Sequence, residues 1–314
     1  MRILHLDENH PLLLNALEKA GFQNSLAYTT PKSEIEAILK DYHGLVVRSR
    51  FPIDATFLAK GTQLKFIARV GAGVENIDQE VAKKMGIELF AAPLGNANAV
   101  GEHALGMLLS LMNKLRLAHQ SIQAGEWLRE SHRGEELEGK TVGIIGYGNM
   151  GKSFAKKLLG FDIKEVIYYD IVAKPADQFA RQVSLEELQA KAEVLSLHTP
   201  QTPQTIGMID TAFLSKMQQR FWLINTARGS AIKTIDLVQA LKNGKVKGAA
   251  LDVLEYEKSS FENLFEGEIA NDFNHLLISD KVLLSPHVAG WSIESHLKLA
   301  QIIVDQIILN YKQF

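Results

Sequence analysis

The chain has 314 residues, of which 46% are hydrophobic, a formal net charge of −2 and no cysteine. The length suits about two domains of roughly 150 residues. The lack of cysteine excludes disulfides, thiol catalysis and cysteine-ligated metals, and the near-neutral charge leaves no basic footprint for nucleic acid. The opening MRILHLDENH lacks the continuous apolar core of a signal peptide, and no apolar run approaches the ~18 residues that a membrane span needs. A cytoplasmic protein with no nucleic-acid or membrane partner and no metal site is expected.

In chain order, residues 1–95 repeat one short unit. Apolar runs at Ile3–Leu6, Gly44–Val47, Phe66–Val70 and Ile87–Ala91 alternate with helical patterns at Leu12–Ala20, Glu34–Leu39, Ala55–Ala59 and Gln79–Met85. Strands alternating with helices predict a parallel sheet covered on both faces. Two strand ends carry unusual chemistry, Arg48-Ser49-Arg50 and Gly71-Ala72-Gly73, and ligands of open α/β sheets bind beyond the carboxyl ends of strands. Asn96 to about Gly125 reads as one long helix, with Val100, His103, Leu105, Met107, Leu108, Leu111, Met112 and Leu115 forming an apolar stripe. Gly125–Gly139 reads as an exposed polar connection.

The stretch Lys140–Asp170 is the most informative. The apolar run Val142–Ile145 ends in Gly146-Tyr147-Gly148-Asn149-Met150-Gly151; a helical pattern with Phe154, Leu158 and Leu159 on one face follows, and a second apolar run, Val166–Tyr169, ends in Asp170. Strand, glycine turn, helix, strand and acid in this order are the dinucleotide-binding arrangement. Gly146 permits the tight turn, Gly148 lets backbone approach a pyrophosphate, and Gly151 lets the helix pack on the sheet. The helix N-terminus then faces the phosphates. Asp170 sits where a carboxylate accepts the ribose hydroxyls and repels a 2′-phosphate, which predicts NAD over NADP.

After Asp170 the alternation resumes. Strands are expected at Val194–His198, Phe221–Ile224, Ala249–Val253 and Val282–Leu284, with helices at Ile235–Leu241 and Ile293–Leu309. Their ends carry His198-Thr199-Pro200, Asn225-Thr226-Ala227-Arg228-Gly229, Asp252 with Glu257, and Ser285-Pro286-His287-Val288-Ala289-Gly290. Each residue alone has a structural explanation; their joint placement on one rim of a doubly wound sheet makes Arg228, Asp252, Glu257 and His287 candidates for a site beside a bound nicotinamide.

These motifs together resemble the D-isomer-specific 2-hydroxyacid dehydrogenases over nearly the whole chain. The carriers are GYGNMG at Gly146, NTARGS at Asn225, LDVLEYE at Leu251 and SPHVAG at Ser285, with VGAGVENID at Val70 and NANAVGEHALG at Asn96. The resemblance implies an α/β protein of two doubly wound parallel-sheet domains, a Rossmann NAD domain (residues 96–290) inserted into a flavodoxin-like substrate domain (residues 1–95 plus 291–314), with the active site in the cleft between them. It implies Arg228, Glu257 and His287 as the catalytic set. It places Gly146, Gly148, Asn149, Met150, Gly151, Asp170, His198, Thr199, Pro200, Thr226, Ala227, Arg228, Asp252, His287 and Gly290 at the cofactor. The backbone around Gly71, Ala72 and Gly73, with Arg48, Ser49, Asn96, Arg228 and His287, would bind substrate. A homodimer joined through the NAD domain is also implied.

The chemistry suits these roles. Hydride removal from an alcohol carbon leaves a proton, which an imidazole takes near neutral pH; Glu257 would hold the ring's tautomer and stabilise the imidazolium, and the planar fork of Arg228 would hold the substrate carboxylate and polarise the carbonyl. Arg48 and Arg50 would supply cations for a phosphorylated acid, so 3-phosphoglycerate/phosphohydroxypyruvate is the expected pair and glycerate/hydroxypyruvate the alternative. With no regulatory domain after Phe314, a short, unregulated form is expected. An acid pairs with the histidine where formate dehydrogenases have Gln, which disfavours that activity. A different class, an NAD-sensing corepressor-like binding module, stays open. Two departures from the family bear on substrate: Lys258 stands where the family often has Pro, and Lys258–Asp280 is long, with Phe261, Leu264, Phe265 and Phe273 packing on the surface or covering the cleft. Trp291 is expected as a packed aromatic at the second crossing.

Overall fold

A computed structural model of the chain describes residues 1–175, 177–257 and 270–311. They form two compact units, one of Met1–Asn96 with the described residues of Trp291–Phe314, the other of Ala97–Glu257 with the described residues of Asn263–Gly290. The expectations on Phe261, Leu264 and Phe265 lie outside the described residues. No helix among those described is long and apolar enough to cross a membrane.

The first unit is a five-stranded parallel sheet of β1 (Arg2–His5), β2 (Gln23–Leu26), β3 (Gly44–Val47), β4 (Phe66–Arg69) and β5 (Glu88–Ala91), in the order β2-β1-β3-β4-β5. That is the flavodoxin-like order, whose switch point lies between β1 and β3. Its helices are α1 (Pro11–Lys19), α2 (Lys32–Ile38), α3 (Ala55–Leu58) and α4 (Gln79–Lys84). Alternate residues of β3 serve opposite faces: Leu45 and Val47 join Leu4, Leu6, Ile35 and Ile67, whereas Val46 joins Ile3, Leu13, Leu17 and Phe66. Both sides are apolar because both are covered, so the strands read as continuous hydrophobic runs.

The second unit begins with α5 (Ala97–Met112) and α6 (Leu115–Gln123) and builds a seven-stranded parallel sheet. Its strands are β6 (Thr141–Ile145), β7 (Glu165–Tyr169), β8 (Arg181–Gln182), β9 (Val194–Leu197), β10 (Phe221–Asn225), β11 (Val246–Leu251) and β12 (Val282–Leu284), in the order β12-β11-β10-β9-β6-β7-β8. Between them run α7 (Asn149–Lys157), α8 (Leu185–Lys191), α9 (Thr211–Lys216), α10 (Thr234–Lys242) and α11 (Asn271–Ile278). The order reverses between β6 and β9, the Rossmann switch point. Asp54, Asp78, Ser184 and Asp210 cap α3, α4, α8 and α9 by accepting the N–H groups of Phe57, Val81, Glu187 and Phe213, which satisfies donors that the helices cannot. The chain returns to the first unit through α12 (Ile293–Tyr311), whose Ala300, Ile303 and Ile307 are buried with Phe66 and Ala68.

Several sequence expectations need correction. The long helix is two: Lys114 takes a left-handed φ of 52°, which ends α5, and its ammonium donates to the Ser131 carbonyl at 2.8 Å. The apolar stripe therefore stops at Met112, and Leu115 is exposed. Leu159 is exposed too, because α7 ends at Lys157 and a tight 3₁₀ turn over Leu158–Gly160 turns it away from Phe154 and Leu158. Trp291 is not packed away but 66% exposed. Phe273 is buried on α11 against Tyr256.

Candidate active site

The glycine turn is explained glycine by glycine. Gly146 has φ +89°, and a Cβ there would lie 2.7 Å from the His198 carbonyl oxygen; the residue is forced by both its backbone and the neighbouring strand end. A Cβ at Gly151 would overlap the carbonyl oxygen of Gly146, so the start of α7 touches the turn directly. Gly148 has neither reason, since its φ is −84° and a Cβ would meet nothing within 4 Å. Open space on the protein side leaves room at this glycine for the close approach of a ligand. Gly148 is also the N-cap of α7 and offers no side-chain cap, so Asn149 and Met150 open a helix whose first N–H groups have no side-chain acceptor at the cap.

Asp170 follows β7. Its Oδ2 accepts the Tyr147 N–H at 2.8 Å, and its Oδ1 accepts the Val172 N–H at 3.0 Å. Tyr147 stacks on Tyr168 with ring centroids 3.9 Å apart and donates its hydroxyl to Asp177 at 3.0 Å; burial, then Asp177, pushes its phenol upward.

The adjacent strand ends supply two more observations. The His198 ring is buried, 5.5 Å from Phe154 and 2.8 Å from the Ser196 hydroxyl, and burial pushes it down to about 3. The side chain is neutral and faces inward, so this strand end offers a ligand its backbone, Thr199 and the exposed Pro200. Thr199 Oγ1, after β9, and Thr226 Oγ1, after β10, are buried without a hydrogen-bond partner among the described residues. Two orphaned hydroxyls on neighbouring strand ends, an open glycine cradle and an uncapped helix start together fit a bound dinucleotide.

Beyond β10, the buried Asn225 shapes the Arg228 turn: its Oδ1 accepts the Ala227 N–H and its Nδ2 donates to the Arg228 carbonyl, each at 3.0 Å. Arg228 Nη1 donates to the Ala227 carbonyl at 2.7 Å. A Cβ at Gly229 would overlap the Leu254 carbonyl, so this turn is pressed against the 252–257 loop. Within that loop Glu257 accepts the Leu254 N–H through Oε1 at 2.5 Å and meets His287 Nδ1 through Oε2 at 2.7 Å. The His287 N–H donates to the Asp252 carbonyl at 2.8 Å, and the residue has φ +55°.

Asp252, 1% exposed, holds the histidine loop from behind. Its Oδ1 accepts from the Ser285 hydroxyl at 2.6 Å and the Val288 N–H at 2.8 Å; its Oδ2 accepts the Ala289 N–H at 2.8 Å. His103 Nε2, from α5, reaches the Ser285 hydroxyl at 2.9 Å. Asn225, Ser285 and His103 were not singled out as site residues in the sequence. Their signal was present only as motif neighbours of Arg228 and His287 and as one polar residue in the apolar stripe of α5.

In the first unit Arg48 and Ser49 follow β3, and Gly71–Gly73 follow β4. The Arg48 N–H donates to Asp7 Oδ2 at 2.6 Å, and its guanidinium lies 4.1 Å from the centroid of the Trp291 ring; burial lowers its pKa from the ordinary value. Arg50 is committed elsewhere, with Nη1 and Nη2 donating to the carbonyls of Ala27 and Thr30, each at 2.6 Å. A Cβ at Gly71 would overlap the Arg69 guanidinium. Asn96 Oδ1 is buried without a partner among the described residues.

The chain belongs to the D-isomer-specific 2-hydroxyacid dehydrogenases, an NAD-dependent enzyme class: residues 105–289 match the family's NAD-binding domain. It is 34% identical over 302 residues to the hydroxypyruvate reductase of Thermotoga maritima, covering 95% of each chain. It is 33% identical over 310 residues to the D-3-phosphoglycerate dehydrogenase of Archaeoglobus fulgidus, covering 98% of this chain but only 57% of that protein. Among solved structures, D-lactate dehydrogenase from Aquifex aeolicus complexed with NAD and lactic acid is similar with a TM-score of 0.83 at 26% identity, covering 99% of this chain and 96% of the other.

Proposed function

We propose that this protein oxidises a D-2-hydroxy acid to the 2-oxo acid, and catalyses the reverse, with Arg228, Glu257 and His287 as catalytic residues. The observation that carries this reading is the 2.7 Å contact between His287 Nδ1 and Glu257 Oε2 at the strand ends that also present the glycine turn. NAD, held by Gly146–Gly151, Asp170, the Thr199 and Thr226 strand ends and the His287–Gly290 loop, supplies the hydride acceptor or donor. With Nδ1 engaged by Glu257, Nε2 is the nitrogen that takes the hydroxyl proton in oxidation and returns it in reduction. Glu257 orients the ring and balances its charge. Arg228 binds the carboxylate and polarises the carbonyl. Asp252 positions the loop that carries the base. On the same reading residues 96–290 are the cofactor domain, and residues 1–95 with 291–314 are the substrate domain, whose binding set is Arg48, Ser49, Gly71, Ala72, Gly73 and Asn96.

The proposed substrate pair is 3-phosphoglycerate/phosphohydroxypyruvate, with Arg48 as the cation for the phosphate. Glycerate/hydroxypyruvate is the second reading, and the commitment of Arg50 to two backbone carbonyls favours it, because a dianion then has one strand-end guanidinium in place of two. A steady-state screen of 2-oxo acids with NADH decides. A higher kcat/KM for phosphohydroxypyruvate supports the first reading, and a preference for hydroxypyruvate the second. Tight NAD binding with no 2-oxo acid reduced overturns both in favour of a cofactor-sensing module.

A cytoplasmic homodimer joined through the second unit belongs to the same proposal. The exposed Leu115, Ile122, Trp127 and Leu128, all within fifteen residues, support such a contact. Sedimentation at low concentration tests it, and a stable monomer rejects it.

A further inference from the structure

Asp170 is not a lone carboxylate. The oxygen that accepts the Tyr147 N–H, Oδ2, also lies 3.5 Å from the Lys174 ammonium. The segment carrying that lysine is built in: its N–H donates to Gln182 Oε1 at 3.1 Å, while Gln182 Nε2 donates to the Asp170 and Val172 carbonyls at 3.2 and 3.3 Å. Gln182 is itself fixed by the pairing of β8 with Tyr168 of β7. The ammonium is thus held at the carboxylate oxygen nearest the glycine turn, the side on which a ribose bonded to Asp170 belongs. A second pair lies close by in the fold, Lys152 Nζ with Asp177 Oδ2 at 3.0 Å, and Asp177 is the acceptor of the Tyr147 hydroxyl. Each of the two carboxylates bonded to Tyr147 is thus paired with an ammonium.

We propose that Lys174 makes the ribose end of the site a 2′-phosphate subsite, so that the protein binds NADP as well as NAD. The inference rests on the NAD-binding assignment of the second unit and goes beyond it. A single acid at this position discriminates by charge repulsion. With an ammonium already on the same oxygen, a 2′-phosphate replaces one anionic partner of Lys174 with another, and the lysine's flexible stem follows it. The Asp170 carboxylate keeps its two backbone donors, so the ribose contact survives the exchange.

Isothermal titration of the whole protein with NAD, NADP and 2′,5′-ADP tests this without turnover. NADP is expected to bind within about tenfold of NAD, and Lys174→Ala to widen the NADP/NAD ratio of Kd values by about tenfold or more, the size of one charge-assisted hydrogen bond. Lys174→Arg is expected to keep the ratio narrow, and 2′,5′-ADP to follow NADP across the variants. NAD binding without NADP binding at millimolar concentration overturns the proposal. So does a Lys174→Ala change that alters both affinities by the same factor, which would make Lys174 only an ion-pair partner. If neither dinucleotide binds, the cofactor assignment itself fails, and that failure is distinct from the other two.

Discussion

Glu257 and His287 come from different loops of the second unit and meet at 2.7 Å, with the remaining Glu257 oxygen fixed by the Leu254 N–H at 2.5 Å. The carboxylate is therefore anchored before it reaches the imidazole, and the ring's orientation is inherited from a backbone amide. His287→Ala is expected to lower kcat/KM by ~10²–10⁴-fold, the usual loss for a general acid–base group. Glu257→Gln keeps the size of the side chain but not its charge, so a smaller loss in kcat/KM is expected. Near-wild-type turnover in both variants rejects the pair.

Gly148 and Gly151 separate ligand approach from packing. At Gly148 a Cβ meets no protein atom, whereas at Gly151 it overlaps the Gly146 carbonyl. Gly148→Ala is expected to leave thermal stability within about 1 kcal/mol while weakening NAD. Gly151→Ala is expected to lower both stability and affinity, by about 1–3 kcal/mol in stability for an overpacked contact. Calorimetric melting beside NAD titration checks this, and equal NAD affinity in Gly148→Ala would remove the case for pyrophosphate at that glycine.

The Asp252 carboxylate serves three donors on the histidine loop, Ser285, Val288 and Ala289. Asp252→Ala removes the shared acceptor, leaving the Ala289 N–H unsatisfied in a buried place and the Val288 N–H in a half-buried one while Ser285 keeps His103; an unsatisfied buried donor costs about 1–3 kcal/mol, so urea unfolding is expected to show a loss on the order of 2 kcal/mol. His103 supports the same carboxylate through Ser285. His103→Leu is expected to lower kcat more than it raises KM, and His103→Gln, which can still donate to the hydroxyl, to recover most of the loss. Equal behaviour of the two variants would limit His103 to packing.

Two buried histidines predict acid sensitivity. Burial lowers His5 from 6.5 to about 4 and His198 from 6.5 to about 3. The unfolded chain binds these protons first, so their contribution to stability is complete above pH 6.5 and is lost as the pH falls towards 4 and 3 respectively. Each is worth about 2 kcal/mol between pH 6.5 and 5. Urea unfolding across that range checks the slope, and it is expected to flatten in His5→Asn and His198→Asn, each in its own unit; an unchanged slope would place these rings in contact with solvent.

The covered strands were legible because every residue of β3, β6, β9 and β10 is buried, and burial on both faces writes a mostly apolar run into the chain. β2, Gln-Asn-Ser-Leu, sits at a sheet edge with its residues exposed or half-buried, and β8 is two residues long, so neither leaves a pattern. The break between α5 and α6 was hidden because it depends on one backbone angle at Lys114 while the apolar spacing runs on. At the candidate site, the motifs pointed to Arg228, Glu257 and His287, and the fold brings the last two into contact. What they could not announce was connectivity: that Arg50 spends both terminal nitrogens on carbonyls, that the Asp252 oxygens hold a loop, or that Lys174 leans on Asp170. Those facts follow from where separated segments meet, which no spacing records.

The left-handed φ of 55° at His287 would, on the proposed role of the imidazole, set fold and activity against each other at a single position. Glycine rests there without steric penalty, so His287→Gly is expected to relax the backbone while removing the proposed base. Random mutagenesis screened for thermal tolerance alone would then be expected to admit that substitution, and a screen for turnover to reject it.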